Sequence, residues 1–248
     1  MRQRASNPAS RCGVGRTRHA LLAGAAALLA TGAAAADGLK PYQATYQGIW
    51  HGMTVAVSNL KLENSGDAWT YTSKSAGRGL GKLVSGLSPD QTSVVKVIAD
   101  GGIQPQSYHS GGGDAKHTID LKYDWQAKRL TGSYEGTAVD LALTPEVQDD
   151  ASVQLALMSA LLAGHAPDKF QLIDKNSVRD YRFTRDGEAT LKTPLGDVTT
   201  VVYRAQKKNS PRITRFWCAP DKGFVPMKVE QTKGDDVQWT LQIESLKR

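Results

Sequence analysis

Period-two alternation dominates this chain, and one stretch breaks it. Residues 148–164 read Gln-Asp-Asp-Ala-Ser-Val-Gln-Leu-Ala-Leu-Met-Ser-Ala-Leu-Leu-Ala-Gly, with no charge after Asp150. Val153, Ala156, Leu157, Ala160 and Leu161 fall on one helical face, and Leu155, Met158 and Leu162 leave little polar face opposite. A helix apolar nearly all round is buried on most sides. Asp149 and Asp150 supply a capping carboxylate and favourable charge at its start, Gly164 a left-handed stop, and Pro167 lies just beyond. The spacing predicts one buried helix over about 149–164, short of the roughly 20 residues that a bilayer span needs.

Around it the pattern is of strands. Tyr42, Ala44 and Tyr46 alternate with polar residues, His51-Gly52 turns the chain, and Val55, Val57, Leu60 and Leu62 carry the return. Asn64-Ser65-Gly66-Asp67 is the next turn, and residues 68–73 form a third strand. Further strands are expected at 92–99, at 103–109 with Pro105 at an edge or bulge, along the alternation of His117, Ile119, Leu121 and Tyr123, and at 130–134 and 137–143. Beyond the helix they are expected at 170–173, 178–185, 187–192, 198–206, 213–218, 224–232 and 237–245. Parallel strands need crossovers, usually helical, and here the turns are short. The chain therefore reads as mainly β: a curved antiparallel sheet forming an open or partial barrel around the one helix.

The first 36 residues change the charge picture. Arg2, Arg4, Arg11, Arg16 and Arg18 precede the apolar run 20–30, and Ala34-Ala35-Ala36 fits a small-x-small cleavage pattern. These features predict a secretory signal peptide over 1–36, cleaved after Ala36, and a single β-rich domain over 37–248 in the periplasm. Of 31 Lys and Arg, five leave with the leader, so 26 basic residues face 24 acidic ones. The high isoelectric point therefore gives no argument for nucleic-acid binding. Cys12 leaves as well, and Cys218 alone cannot form an internal disulfide.

Three stretches resemble the exported bacterial family known as domain of unknown function 3108. They are Tyr42-x-Ala44-x-Tyr46-x-Gly48, the helix start Gln148-Asp149-Asp150-Ala151-Ser152, and Thr193-Pro194-Leu195-Gly196 with the run from Phe216-Trp217-Cys218-Ala219-Pro220-Asp221 through Phe224-Val225-Pro226-Met227-Lys228-Val229. The resemblance implies a periplasmic β-rich domain, similar in outline to the half-barrels of periplasmic lipoprotein carriers. It brings no catalytic residues. Cys218 stands where that family generally has an aliphatic residue.

Motifs for chemistry are thin. Ala76-Gly77-Arg78-Gly79-Leu80-Gly81-Lys82-Leu83 misses a phosphate loop, which needs glycine at the first position and a hydroxyl at the last. His51, His109, His117 and His165 show no metal-ligand spacing, and no nucleophile motif appears, so no metal, no cofactor and no enzyme is expected. Cys218 reads as a small buried hydrophobe.

What remains is a glycine-rich segment with Leu80, Leu83, Val84 and Leu87, and five scattered tryptophans. Leu80, Leu83, Val84 and Leu87, with Trp50, Trp69 and Trp217, are the candidates to line or close an apolar cavity; ordinary core packing and a plugging loop are the alternatives. The functional expectation is a non-catalytic binder or carrier of a lipid, another apolar ligand or a lipidated partner in the cell envelope. The alternative is an envelope scaffold or accessory protein with a filled core and no ligand.

Overall fold

The computed structural model describes residues 38–79, 90–111 and 115–248. The expected Leu80, Leu83, Val84 and Leu87 flap lies outside the described residues. In chain order the strands are β1 (Tyr42–Trp50), β2 (Met53–Asn64), β3 (Trp69–Gly77), β4 (Gln91–Val97), β5 (Ile103–Ser110), β6 (Ile119–Asp124), β7 (Arg129–Tyr134), β8 (Thr137–Ala142) and β9 (Val147–Gln148). The helix α1 (Ser152–Leu162) follows, then β10 (Lys169–Asp174), β11 (Ser177–Thr193), β12 (Gly196–Lys207), β13 (Arg212–Ala219), β14 (Val225–Lys233) and β15 (Asp236–Lys247).

All fifteen strands belong to one sheet, ordered β8-β7-β6-β5-β4-β3-β2-β1-β15-β14-β13-β12-β11-β10-β9. Its end strands β8 and β9 are not paired to each other, so the sheet is open, as the alternation implied. Nearly every neighbour is antiparallel. The exception is β9, which pairs parallel with β10 through Val147–Gln171 and Gln148–Leu172. A two-residue strand carries no alternation to read, and its parallel partner follows only after the helical crossover that such pairing requires.

Two other expectations change. Residues 178–185 and 187–192 are parts of the single strand β11, which continues through a bulge between Arg185 and Gly187. Gly187 has φ +117°, open only to glycine without strain, while Asp186 is held by Arg204 at 3.2 Å and Arg215 at 3.3 Å. His117 ends a 3-10 turn at Ala115–His117 instead of starting a strand. Pro105 sits where the β4–β5 register slips between Val94 and Val95, the bulge that its missing donor favours.

The helix is the filling of the curved sheet. Leu155, Ala156 and Met158 join a cluster with Tyr42, Tyr46, Leu62, Tyr71, Tyr108 and Tyr123 from the β1–β6 half. Val153 and Leu157 join a second cluster with Phe183, Tyr203, Phe216, Cys218 and Val229 from the β11–β14 half. One short helix thus supplies side chains to both halves, which is why it lacks a polar face. Gly164, at φ +75°, ends it: its N–H donates to Leu161 O at 3.1 Å and the His165 N–H to Ala160 O at 2.8 Å, a Schellman pattern.

Leu157 is completely buried. Leu157→Ala is expected to cost about 2–5 kcal/mol, as large-to-small core changes do. Urea unfolding of variant and wild type measures it, and a loss below about 1 kcal/mol would show that the helix does not bind the two halves.

Candidate functional site

The helix start lies over one transverse row of the sheet. Register places Tyr42 opposite Leu62, Leu62 opposite Tyr71, Tyr71 opposite Ser93, Ser93 opposite Tyr108 and Tyr108 opposite Leu121. All six are buried, and Ser93 is the small one among aromatic and leucine neighbours. Asp149 occupies the room above it. The Ser93 hydroxyl donates to Asp149 Oδ2 at 3.0 Å, and the Ala151 and Ser152 N–H groups donate to Oδ1 at 3.0 and 2.7 Å. The Asp149 N–H donates back to Ser152 Oγ at 2.9 Å, and the Val153 N–H bonds Asp149 O at 3.1 Å as the first helical turn. Asp149 is therefore the capping residue, with Ser152 completing a reciprocal box.

Asp149 is only 1% exposed. Burial pushes its carboxyl up from 3.8 to about 6, and the hydrogen bonds from Ser152, Ser93 and Ala151 hold it from rising further. Asp150 keeps exposed surface, yet desolvation by the chain packed around its carboxyl, followed by the charges of Asp149 and Asp174, pushes it up to about 6 as well. Water reaches that carboxyl, so its shift weighs less on folding. Burial, with the two aspartates beyond, also holds the Tyr108 and Tyr123 hydroxyls well above their ordinary value. Tyr108 Oη, Tyr123 Oη and Gln148 Oε1 are buried without a protein partner. Internal water is the usual partner of such atoms. A carboxyl near 6 beside two tyrosines has the ingredients of acid–base chemistry. Here both Asp149 oxygens are occupied and the group is sealed in the core, so the arrangement serves the helix start.

The stretches that carried the resemblance meet around this frame. Tyr46 Oη donates to Pro226 O at 2.7 Å, joining β1 to β14. Gln154 Nε2 of the helix donates to Tyr42 Oη at 3.2 Å. Between Cys218 and Val225 the chain makes a 3-10 turn at Pro220–Lys222, then Gly223 and Phe224 both take left-handed φ, +58° and +59°. The Phe224 N–H bonds Ala219 O at 2.8 Å, which fixes that turn, and Phe224 packs against both core clusters. Thr193-Pro194-Leu195-Gly196 is the β11–β12 hairpin, its Thr193 Oγ1 bonded to Gly196 O at 2.8 Å. Residues 41–238 match the family model described as protein of unknown function (DUF3108). The chain belongs to the DUF3108 family. No curated protein matches this DUF3108 chain. Among solved structures it is similar to a presumed exported protein from Bacteroides fragilis NCTC 9343, described as having a YmcC-like fold. That likeness has 11% identity and a TM-score of 0.36 over 85% of this chain and 97% of the other.

The DUF3108 sheet does not gather the tryptophan candidates into one wall. Trp50 closes β1 at the β1–β2 tip, 45% exposed and edge-on to His51. Trp69 opens β3 at the other end of the strands and packs on the first core cluster. Trp217 lies in β13, half-buried, with Lys228 Nζ 4.5 Å from its ring centroid. Cys218 is fully buried, and burial pushes its thiol far up. Among the described residues no group of three His, Cys, Asp or Glu could hold a metal ion. No helix among them is long and apolar enough to cross a membrane.

Sequence reasoning missed a recess of about 580 Å³ on the face of β15-β1-β2-β3 turned away from the helix. Lys247, Gln43, Lys61 and Thr72 form one register row across it, and Ser245, Thr45, Asn59 and Lys74 the next. The β1–β15 pair carries a bulge between Thr45 and Tyr46, at its border, where local twist increases. Each of these residues occupies the polar half of an alternating strand, and only pairing register brings them together.

Two outcomes follow from the buried cap. A carboxyl raised from 3.8 to about 6 contributes stability that is complete below 3.8 and is lost as pH rises through about 6, worth about 3 kcal/mol. Asp149→Asn keeps a capping oxygen and removes this loss, so its stability relative to wild type rises between pH 4 and pH 7. Asp149→Ala strands the Ser93 hydroxyl and two N–H groups and costs about 2–4 kcal/mol near pH 4; like Asn it lacks the titrating carboxyl, so its deficit relative to wild type shrinks toward pH 7. Denaturant midpoints at the two pH values decide it; a pH-independent Asn-to-wild-type difference would contradict the assignment. Cys218 is expected to react with a thiol reagent only after unfolding, and stoichiometric labelling of the native protein would contradict its burial.

Proposed function

We propose that this is an exported cell-envelope protein that works by binding, without catalysis, after removal of residues 1–36. The basic start, the apolar run 20–30 and Ala34-Ala35-Ala36 support export. The observation that carries the binding reading is the division of the sheet. Its helix-side face is filled by Leu155, Leu157, Met158, Val225 and Met227, all at most 2% exposed, while the opposite face holds an open recess. A core packed in this way supports the role of an accessory protein that meets its partner on the outside.

One observation favours a lipid or lipidated partner as the second reading. Trp50 and Met53 pair at the β1–β2 tip with 45% and 50% exposure. The chain leaves β3 beside them, since the Arg78 N–H bonds Val55 O at 2.7 Å. An apolar partner would then be met at this tip, with Trp69 and Trp217 remaining in their packing positions.

Native mass spectrometry of protein purified from the periplasm without detergent tests both. A chain beginning at Asp37 with a discrete non-covalent added mass is expected, and organic extraction separates a lipid from a polar ligand or a protein. A bare chain that takes up neither envelope lipid nor any envelope protein would overturn the binding reading.

A further inference from the structure

The recess over β15-β1-β2-β3 has a chemistry of its own. Its polar side chains are the ammonium groups of Lys61, Lys74 and Lys247, amides and hydroxyls such as Gln43, Asn59 and Thr72, and one carboxylate, Glu63. Lys61 is paired with Glu63 at 2.6 Å. Lys74 and Lys247 have no ion-pair partner among the described residues, so the recess keeps two uncompensated positive charges at opposite corners of the two register rows. Asn59 Oδ1 accepts from Thr45 Oγ1 at 3.2 Å, which leaves its amide N–H groups as donors. A volume of about 580 Å³ exceeds what a lone inorganic anion fills and lies within the usual span of small-molecule sites. Lysine ammonium groups serve as point-charge phosphate binders, and amides and hydroxyls suit neighbouring hydroxyls of the same ligand.

We propose that this recess binds a phosphate carried on a polyhydroxylated group, with Lys74 or Lys247 at its corner holding the phosphate and Gln43, Asn59 and Thr72, between them, bonding the hydroxyls. The same chemistry occurs in a free sugar phosphate and in a phosphoglycerol lipid headgroup. The inference deepens the binding reading and rests on it, naming the ligand class for one face of the sheet. Because the site is open, its affinity depends on ionic strength.

The test uses the mature protein and its Lys74→Glu/Lys247→Glu double variant, with thermal unfolding to verify that both are folded. These side chains are on the outer face, so the variant is expected to unfold like wild type. Calorimetric titration with glucose 6-phosphate, with glucose as control, addresses the free source. Co-sedimentation with phosphatidylglycerol vesicles, with phosphatidylcholine as control, addresses the headgroup. Binding of either phosphorylated probe that weakens about tenfold or more in the double variant supports the site. Which probe binds identifies the source. Binding unchanged by the double substitution, or no binding of either probe by wild type, overturns the inference. If the native protein nevertheless carries another ligand by mass spectrometry, the binding reading stands and only this assignment fails.

Discussion

A single buried carboxylate positions the helix on which this sheet depends. Asp149 accepts two N–H groups of the first helical turn and the Ser93 hydroxyl of β4, so one side chain both starts α1 and fixes where it lands. Removing a carboxylate from water is costly, and its raised proton affinity records that cost. What offsets it is the helix itself, whose side chains belong to both core clusters. The other end is tied by Ser159 Oγ to Gly101 O at 2.6 Å, in the turn before β5, and just before the cap Gln148 Nε2 reaches Ile103 O at 2.8 Å. The cap, the turn contact and the Schellman ending hold eleven helical residues in one place.

The family motifs take on a physical meaning in this frame. Tyr42 and Tyr46 stand on the inner face of β1 and reach the helix and β14. The left-handed pair Gly223-Phe224 directs an aromatic ring into the core from a tight turn, which explains why the sequence there is so particular. These residues build a scaffold, and they fill the side of the sheet on which a carrier would hold its cargo. Under the proposed binding role, recognition would fall to the outer face and to the strand tips, where polar rows and an exposed tryptophan are available.

Much of the fold was legible because alternation and turn chemistry are local. The β1–β2 hairpin, the Pro105 bulge, the helix and its glycine stop follow from residues a few positions apart. The parts that were not legible depend on pairing across distance. The two-residue β9 has no period, β11 keeps its strand through the Asp186-Gly187 bulge, and Ser93 looks like any polar strand residue until Asp149 lies against it. The outer recess is the strongest case. Gln43, Lys61, Lys74 and Lys247 come from four strands, each reading as an ordinary solvated position, and the register alone assembles them. The positions of Trp50, Trp69 and Trp217 on separate parts of the sheet were illegible for the same reason, since residue type does not say which strands stand together.

The claim that α1 is a permanent filling of the sheet is most directly tested by hydrogen exchange of the peptide covering residues 149–164 in the native protein. Amides released only by global unfolding are the most protected in a structure. The account predicts protection there equal to that of the central strands β1 and β15, with an opening free energy that follows global stability as denaturant is added. Exchange through a separate, low-energy opening would contradict it, because the helix would then leave the sheet readily and vacate the interior for a ligand.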